Sequence, residues 1–121
     1  FEETVAFIDR NYSTINSLND IAHGLHMSKS YLCRLFERKT GRTIMYYVHS
    51  LRMQAVETYV REGFHITAAA YMAGYQNYSI FYKHFQKRYQ MAPTLYFQEL
   101  LAAPQKEAHA EEAADERQNQ P

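Results

Sequence analysis

Two stretches of this chain repeat one pattern of apolar residues, 48 positions apart. Leu18, Ile21, Ala22 and Leu25 map onto Ile66, Ala69, Ala70 and Ala73, and Met27 maps onto Tyr75 at the same offset. After one inserted residue, Leu32, Leu35, Phe36 and Lys39 map onto Phe81, His84, Phe85 and Arg88, now 49 positions on. A repeat of this kind restricts the chain to two copies of one supersecondary unit, joined by whatever lies between them.

The first copy, Ser17 to Gly41, shows what the unit is. Leu18, Ile21, Ala22 and Leu25 have the spacing of one buried helix face. Ser17 is a candidate N-cap for that helix, with Asp20 at the third position, where an acid is favoured. His26-Met27-Ser28 interrupts the pattern, and the Ser28 hydroxyl can cap a second helix. That second helix buries Tyr31 or Leu32, Leu35 and Phe36, and Gly41 ends it as a left-handed cap residue does. Two short helices, a three-residue turn and a small Ala22 at the crossing describe a helix-turn-helix. The second helix carries Lys29, Arg34, Arg38 and Lys39 against the single acid Glu37, a cationic face suited to the DNA major groove. In the second copy Gly74 lies in the turn and Asn77 is the cap. Its second helix bears Lys83, His84, Lys87 and Arg88 and no acid.

The remaining segments also read as helices. Phe1, Val5, Ile8 and Tyr12 form one stripe of an amphipathic helix over residues 1–12. Thr43 can cap a longer helix in which Ile44, Tyr47, Val48, Leu51, Ala55, Val56 and Tyr59 recur every three or four residues. Glu62-Gly63 closes it, and its place between the copies makes it a rigid connector. Pro93 suits the first position of a last helix, with Leu95, Tyr96, Leu100 and Leu101 as docking residues. The expected fold is all-α. A first helix-turn-helix subdomain covers 1–42, a linker helix 43–62 and a second subdomain 63–103. Residues 104–121, rich in Ala, Glu and Gln, are predicted to be a disordered acidic tail.

Net charge over the 121 residues is zero, which looks wrong for a polyanion binder. The total conceals an asymmetry. Residues 104–121 hold five acids and two bases, leaving eleven bases and eight acids in the rest of the chain, a basic body with an acidic tail. No run approaches the ~18 apolar residues that span a bilayer, and no signal peptide is visible. One cysteine precludes an internal disulfide and suits a reducing cytosol, so the expected location is cytoplasmic. A start at Phe1 rather than Met reads as a fragment of a longer protein.

Enzyme signatures are missing: there is no GxSxG, no HExxH and no glycine-rich phosphate loop, and four glycines leave little to build one from. His23 and His26 have a metal-compatible spacing but only Asp20 beside them, so they read as turn residues and no metal or cofactor is expected. Cys33 reads as a passive thiol or a small contact to a thymine methyl rather than a redox sensor. Most of the eleven tyrosines and seven phenylalanines fall on helix stripes and read as core; Tyr78 and Tyr82, flanking the second reading helix, are expected to be exposed.

The two repeats, together with Gly74-Tyr75, Ser79-Ile80-Phe81, Phe85-Gln86-Lys87, Pro93 and Tyr96, resemble the DNA-binding domain of AraC/XylS-type transcription regulators over about residues 1–101. The resemblance implies seven helices in two subdomains, with the second helix of each unit entering one of two successive major grooves about 34 Å apart. By motif position it implies base contacts from Ser30, Cys33 and Arg34 in the first unit and from Ser79, Ile80 and Lys83 in the second. Lys29, Arg38, Lys39, Lys87 and Arg88 fall where phosphates would be met, with Thr43, Asn77 and Thr94 offering hydroxyl, amide or backbone groups to the sugar-phosphate chain. It further implies an activator, contact with RNA polymerase, and an absent N-terminal domain for effector binding and dimerisation. The sequence departs from the family pattern at Gln90, where Gly is usual, at His65, where a Ser cap is usual, and at Phe97, where Arg is common. These departures weaken the expected helix ends at 65 and 90. The competing reading is a helical protein-interaction module whose basic faces meet acidic partners; steep salt dependence would favour DNA.

Overall fold

A computed structural model describes residues 1–102, which form seven helices. In chain order these are α1 (Glu2–Asn11), α2 (Leu18–Leu25), α3 (Lys29–Thr40), α4 (Ile44–Arg61), α5 (Ile66–Ala73), α6 (Tyr78–Tyr89) and α7 (Pro93–Ala102). The expected acidic tail lies outside the described residues. No described helix is long and apolar enough to cross a membrane.

Two cores are built on one helix. Ile8, Ile15, Ile21, Ala22, Leu32, Phe36, Ile44 and Val48 form the first, so the N-terminal half of α4 belongs to the first helix-turn-helix. Met53, Val56 and Val60 from its C-terminal half join Ala69, Ala70, Ala73, Tyr75, Phe81, Phe85 and Phe97 in the second. Every fourth residue of α4, from Ile44 through Val48, Arg52 and Val56 to Val60, is buried. Arg52 therefore falls at the seam between the cores. The stripe expected from spacing omitted Arg52, Met53 and Val60, while Tyr47, Leu51, Ala55 and Tyr59 are only partly buried.

The repeat is visible in the backbone. Met27 N–H donates to Ala22 O at 3.0 Å, and Tyr75 N–H donates to Ala70 O at 3.1 Å, closing the two turns identically. Ser28 Oγ accepts from Tyr31 N–H at 3.2 Å, and Asn77 Oδ1 accepts from Ile80 N–H at 2.9 Å. The correspondence runs on into the following helix at the 49-residue offset. Phe36 meets Tyr47 with ring centres 5.7 Å apart, and Phe85 meets Tyr96 at 5.3 Å. The start of α4 thus does for the first unit what α7 does for the second.

Several local expectations are corrected. Ser17 has the extended backbone of an N-cap, but its hydroxyl makes no cap bond; instead Asp20 Oδ2 accepts from Asn16 N–H at 2.8 Å. Tyr31 is exposed and Leu35 half-buried, while Leu32 and Phe36 are the α3 residues that enter the first core. Leu95 and Leu101 are exposed. Phe97, four residues after buried Pro93, docks α7 by reaching Phe85 at 5.7 Å. Tyr78 and Tyr82 are half-buried, with Tyr78 packed on Phe81. His65 does cap α5: its Nδ1 accepts from Thr67 N–H at 3.1 Å, so the missing Ser costs that end little.

Gln90 is the more consequential departure. It ends α6 in the left-handed region, φ 60° and ψ 30°, where its N–H donates to Gln86 O at 2.7 Å. Its counterpart Gly41 adopts φ 73° without a Cβ to strain. Gln90→Gly should raise the unfolding free energy by about 1 kcal/mol, raising Tm by about 4–8 °C; urea titration of both proteins measures it.

Candidate nucleic-acid interface

Helices α3 and α6 present corresponding outer faces. On α3, Ser30, Cys33 and Arg34 lie at i, i+3 and i+4; Ser30 and Arg34 are exposed and Cys33 half-buried. On α6, Ser79, Ile80 and Lys83 are exposed, Ile80 at 38% despite its apolar side chain. Lys29, Arg38 and Lys39 are exposed around α3, as are Lys87 on α6 and Thr94 in the first turn of α7. Thr43 and Asn77 are exposed N-caps. Thr43 Oγ1 accepts from Tyr46 N–H at 3.1 Å, leaving its own O–H free to donate outward. Of the residues the sequence singled out, Arg88 is placed differently from the others. It is half-buried, donates from Nη2 to Ser50 Oγ, and lies over the Tyr46 ring at 4.3 Å.

The relative placement of the two faces depends on residues that the spacing argument passed over. Arg52 is 6% exposed. Its Nε donates to Tyr12 O at 2.9 Å and its Nη2 to Ile15 O, both in the loop of the first unit. Its guanidinium also sits 5.3 Å from the ring centre of Tyr75, in the turn of the second unit. Gly74 allows this approach: with φ +121°, a Cβ there would fall 2.7 Å from Ser13 O and 2.9 Å from Arg52 Nε. A charged residue in the middle of an i+4 apolar row was the signal in the sequence.

Beside Arg52, His49 of α4 stacks on His84 of α6 with ring centres 3.8 Å apart and hydrogen-bonds through Nδ1 to the Tyr75 hydroxyl at 2.8 Å. His84 is thus half-buried at the seam. Burial, then the neighbouring His84, Arg52 and Arg88, push the His49 pKa down to about 4. Burial and then Lys87 and Arg52 lower that of His84. Burial likewise raises the Tyr75 phenol. The seam is held by neutral rings between cations. Among the described residues no three His, Cys, Asp or Glu side chains converge as metal ligands.

A family profile described as a helix-turn-helix domain matches residues 21–99. Transcriptional regulatory protein HptR of Staphylococcus aureus (strain bovine RF122 / ET3-1) is 32% identical over 90 residues, which are 74% of this chain and 35% of HptR. The raffinose operon transcriptional regulatory protein RafR of Pediococcus pentosaceus is 30% identical over 102 residues, 84% of this chain and 36% of RafR. The chain spans about a third of the length of these curated relatives. The fold is similar to the C-terminal domain of AraT, a response regulator from Geobacillus stearothermophilus, with TM-score 0.74, 23% identity, and 81% and 83% of the two chains covered. It is also similar to the C-terminal domain of the two-component response regulator YesN from Fusobacterium nucleatum, with TM-score 0.72, 23% identity, and 78% and 94% covered.

The histidine pair gives a pH dependence with a definite sign. Unfolded histidines take up protons near pH 6.5, whereas His49 in the fold resists protonation down to about 4. Between those values the unfolded state binds more protons, so stability falls as pH drops through 6.5 and is flat above it. Urea midpoints should decline from pH 7 to pH 5, and the decline should be shallower in His49→Gln. Parallel pH profiles for the two proteins would refute the assignment.

Proposed function

The chain belongs to the AraC-type helix-turn-helix family, and on that premise we propose that it is the DNA-reading part of a longer transcription regulator. In this reading α3 and α6 enter successive major grooves on one side of a duplex. The observation that carries it is the matched pair of capped helices, each presenting a cationic or small-residue face outward and both fixed to α4. Arg34 pairs with a guanine through its fork of N–H donors. Ser30 and Cys33 take adjacent base edges. On α6, Lys83 supplies the polar contact, while Ser79 and Ile80 offer little hydrogen bonding, so that half-site is read through a thymine methyl and through shape. Lys29, Arg38, Lys39, Thr43, Asn77, Lys87, Arg88 and Thr94 meet the sugar-phosphate chain and give the salt-sensitive part of the affinity.

The wider protein, in the same reading, is a cytoplasmic activator that touches RNA polymerase, with effector binding and dimerisation in a domain upstream of this one. What supports this is kinship with full-length transcriptional regulators of which this chain spans about a third.

Selection from a random duplex pool, with the bound fraction sequenced, tests the reading. Wild type should enrich a site with two elements one helical turn apart, and failure to enrich any site would overturn it. Arg34→Ala should erase preference at one base position, at a cost of about 1–3 kcal/mol there; an unchanged selected sequence would remove Arg34 from the readers.

A further inference from the structure

Between the first turns of α4 and the later turns of α6 lies a cleft of about 460 Å³, whose walls include Thr43, Tyr46, His49, His84, Lys87 and Arg88. Among the described residues no carboxylate lines it. The Tyr46 ring organises its mouth. Arg88, from α6, stands 4.3 Å from the ring centre, and Arg42, from the loop after α3, stands 4.5 Å from the same centre. Arg88 is further fixed by Ser50 Oγ, whose own O–H donates to Tyr46 O at 2.8 Å. Two guanidiniums from different units therefore converge on one aromatic ring, in a cleft that Lys87 also lines.

Bringing like charges together in this way opposes folding, and cation–π contacts offset only part of the cost. Such an arrangement is useful when an anion completes it. The N-terminal end of α4, with Thr43 as its cap, adds partial positive charge on the same side. A second trough, which shares Met45, His49 and His84 with the cleft, carries it on to Ile80 on the exposed face of α6. An anionic strand passing that face would run on into the cleft.

Resting on the function proposed above, we infer that this cleft clamps the phosphodiester strand that crosses between the two major grooves. Arg42 and Arg88 grip the phosphate, and Tyr46 is a positioning residue that holds both guanidiniums. Arg42 and Tyr46 are new to the interface. They join the two units around the nucleic acid itself rather than through the protein core.

The test is fluorescence anisotropy of the chain on its selected duplex and on a scrambled duplex, across a sodium chloride series. Arg42→Gln should weaken both duplexes by the same factor and reduce the slope of log K against log salt by about 0.9. Tyr46→Leu should weaken both by about two- to fivefold, and Tyr46→Phe, which keeps the ring, should bind as wild type. In the Tyr46→Leu background, Arg42→Gln should cost less than it does alone. Arg61→Gln, about 27 Å along α4 from Thr43, removes the same charge and should leave slope and affinity unchanged. The clamp is overturned if Arg42→Gln and Tyr46→Leu keep the wild-type slope and affinity, or if they affect one duplex only. Exchanging chloride for inorganic phosphate at equal ionic strength should leave the ratio of wild-type to Arg42→Gln affinity unaltered; a loss confined to wild type would assign the cleft to free phosphate. A wild type that enriches no duplex overturns the DNA reading and the clamp together, which separates that failure from the others.

Discussion

The arrangement of this molecule depends on a buried arginine that pairs with no acid among the described residues. Arg52 gives its Nε–H and an Nη2–H to the carbonyls of Tyr12 and Ile15 and lays its guanidinium by Tyr75. Burying a lone cation is costly, and hydrogen bonds from a charged donor return about 1.5–3 kcal/mol each. The bonds are not interchangeable with apolar packing. They hold a loop of the first unit, and the Tyr75 ring beside the guanidinium brings a turn of the second unit against the same side chain. Burial lowers the pKa of the guanidinium, but arginine remains charged at any physiological pH. A lysine would offer its donors from a single nitrogen, whereas Arg52 reaches the two carbonyls from two nitrogens of one rigid fork.

This constraint changes what the duplication means. Each unit has its own core, yet neither core closes without α4, whose first half caps one and whose second half underlies the other. Two helix-turn-helix units on a flexible tether would lose orientational freedom on docking to a duplex. Here that ordering has already occurred on folding. The consequence falls on the nucleic acid: where the fixed spacing differs from the pitch of straight duplex, the DNA bends, at a cost of order 1–6 kcal/mol that depends on its sequence. On the function proposed above, a seam made of Arg52, Tyr75 and two neutral histidines would contribute to sequence preference without touching a base.

The local features were legible in the sequence for a local reason. Ser28, Thr43 and Asn77 cap because a short oxygen-bearing side chain reaches the N–H three residues on, whatever the rest of the chain does. Gly41 and Pro93 mark helix boundaries through φ alone. The 48- and 49-residue offsets exposed the two units because both bury the same face. What the spacing did not disclose was decided by contacts distant in the chain. Arg52 lies 40 residues from Tyr12, and nothing adjacent to it announces a pair of unsatisfied carbonyls. Phe97 read as a departure from a family pattern, and only the position of Phe85 explains why a large apolar residue is wanted there. His65 looked like a poor cap because imidazole is seldom one, yet its Nδ1 occupies the place of a serine oxygen. The outward faces of α3 and α6 were readable as faces. Arg42 and Tyr46 were not, because their relation to Arg88 exists only once both units are docked.

The two units are alike in backbone and unlike in chemistry, and the seam accounts for part of the difference. At position 35 the first unit has a half-buried leucine; at the corresponding position the second has His84, turned toward α4 and stacked on His49. That exchange gives the second unit a contact between α6 and the connector. Arg88 makes the same trade: its counterpart Lys39 is exposed, whereas Arg88 is tied to Ser50 and Tyr46. Two side chains on one flank of α6 are thus committed to α4, while α3 keeps its cations free in solvent. A helix held from the side is fixed in rotation, so the direction of its outer face, with Ser79, Ile80 and Lys83, is set by protein contacts before any duplex arrives. On the function proposed above, the helix with fewer polar reading groups is accordingly the one whose position is more tightly determined, and in the second unit placement would take over part of what hydrogen-bonding side chains supply in the first.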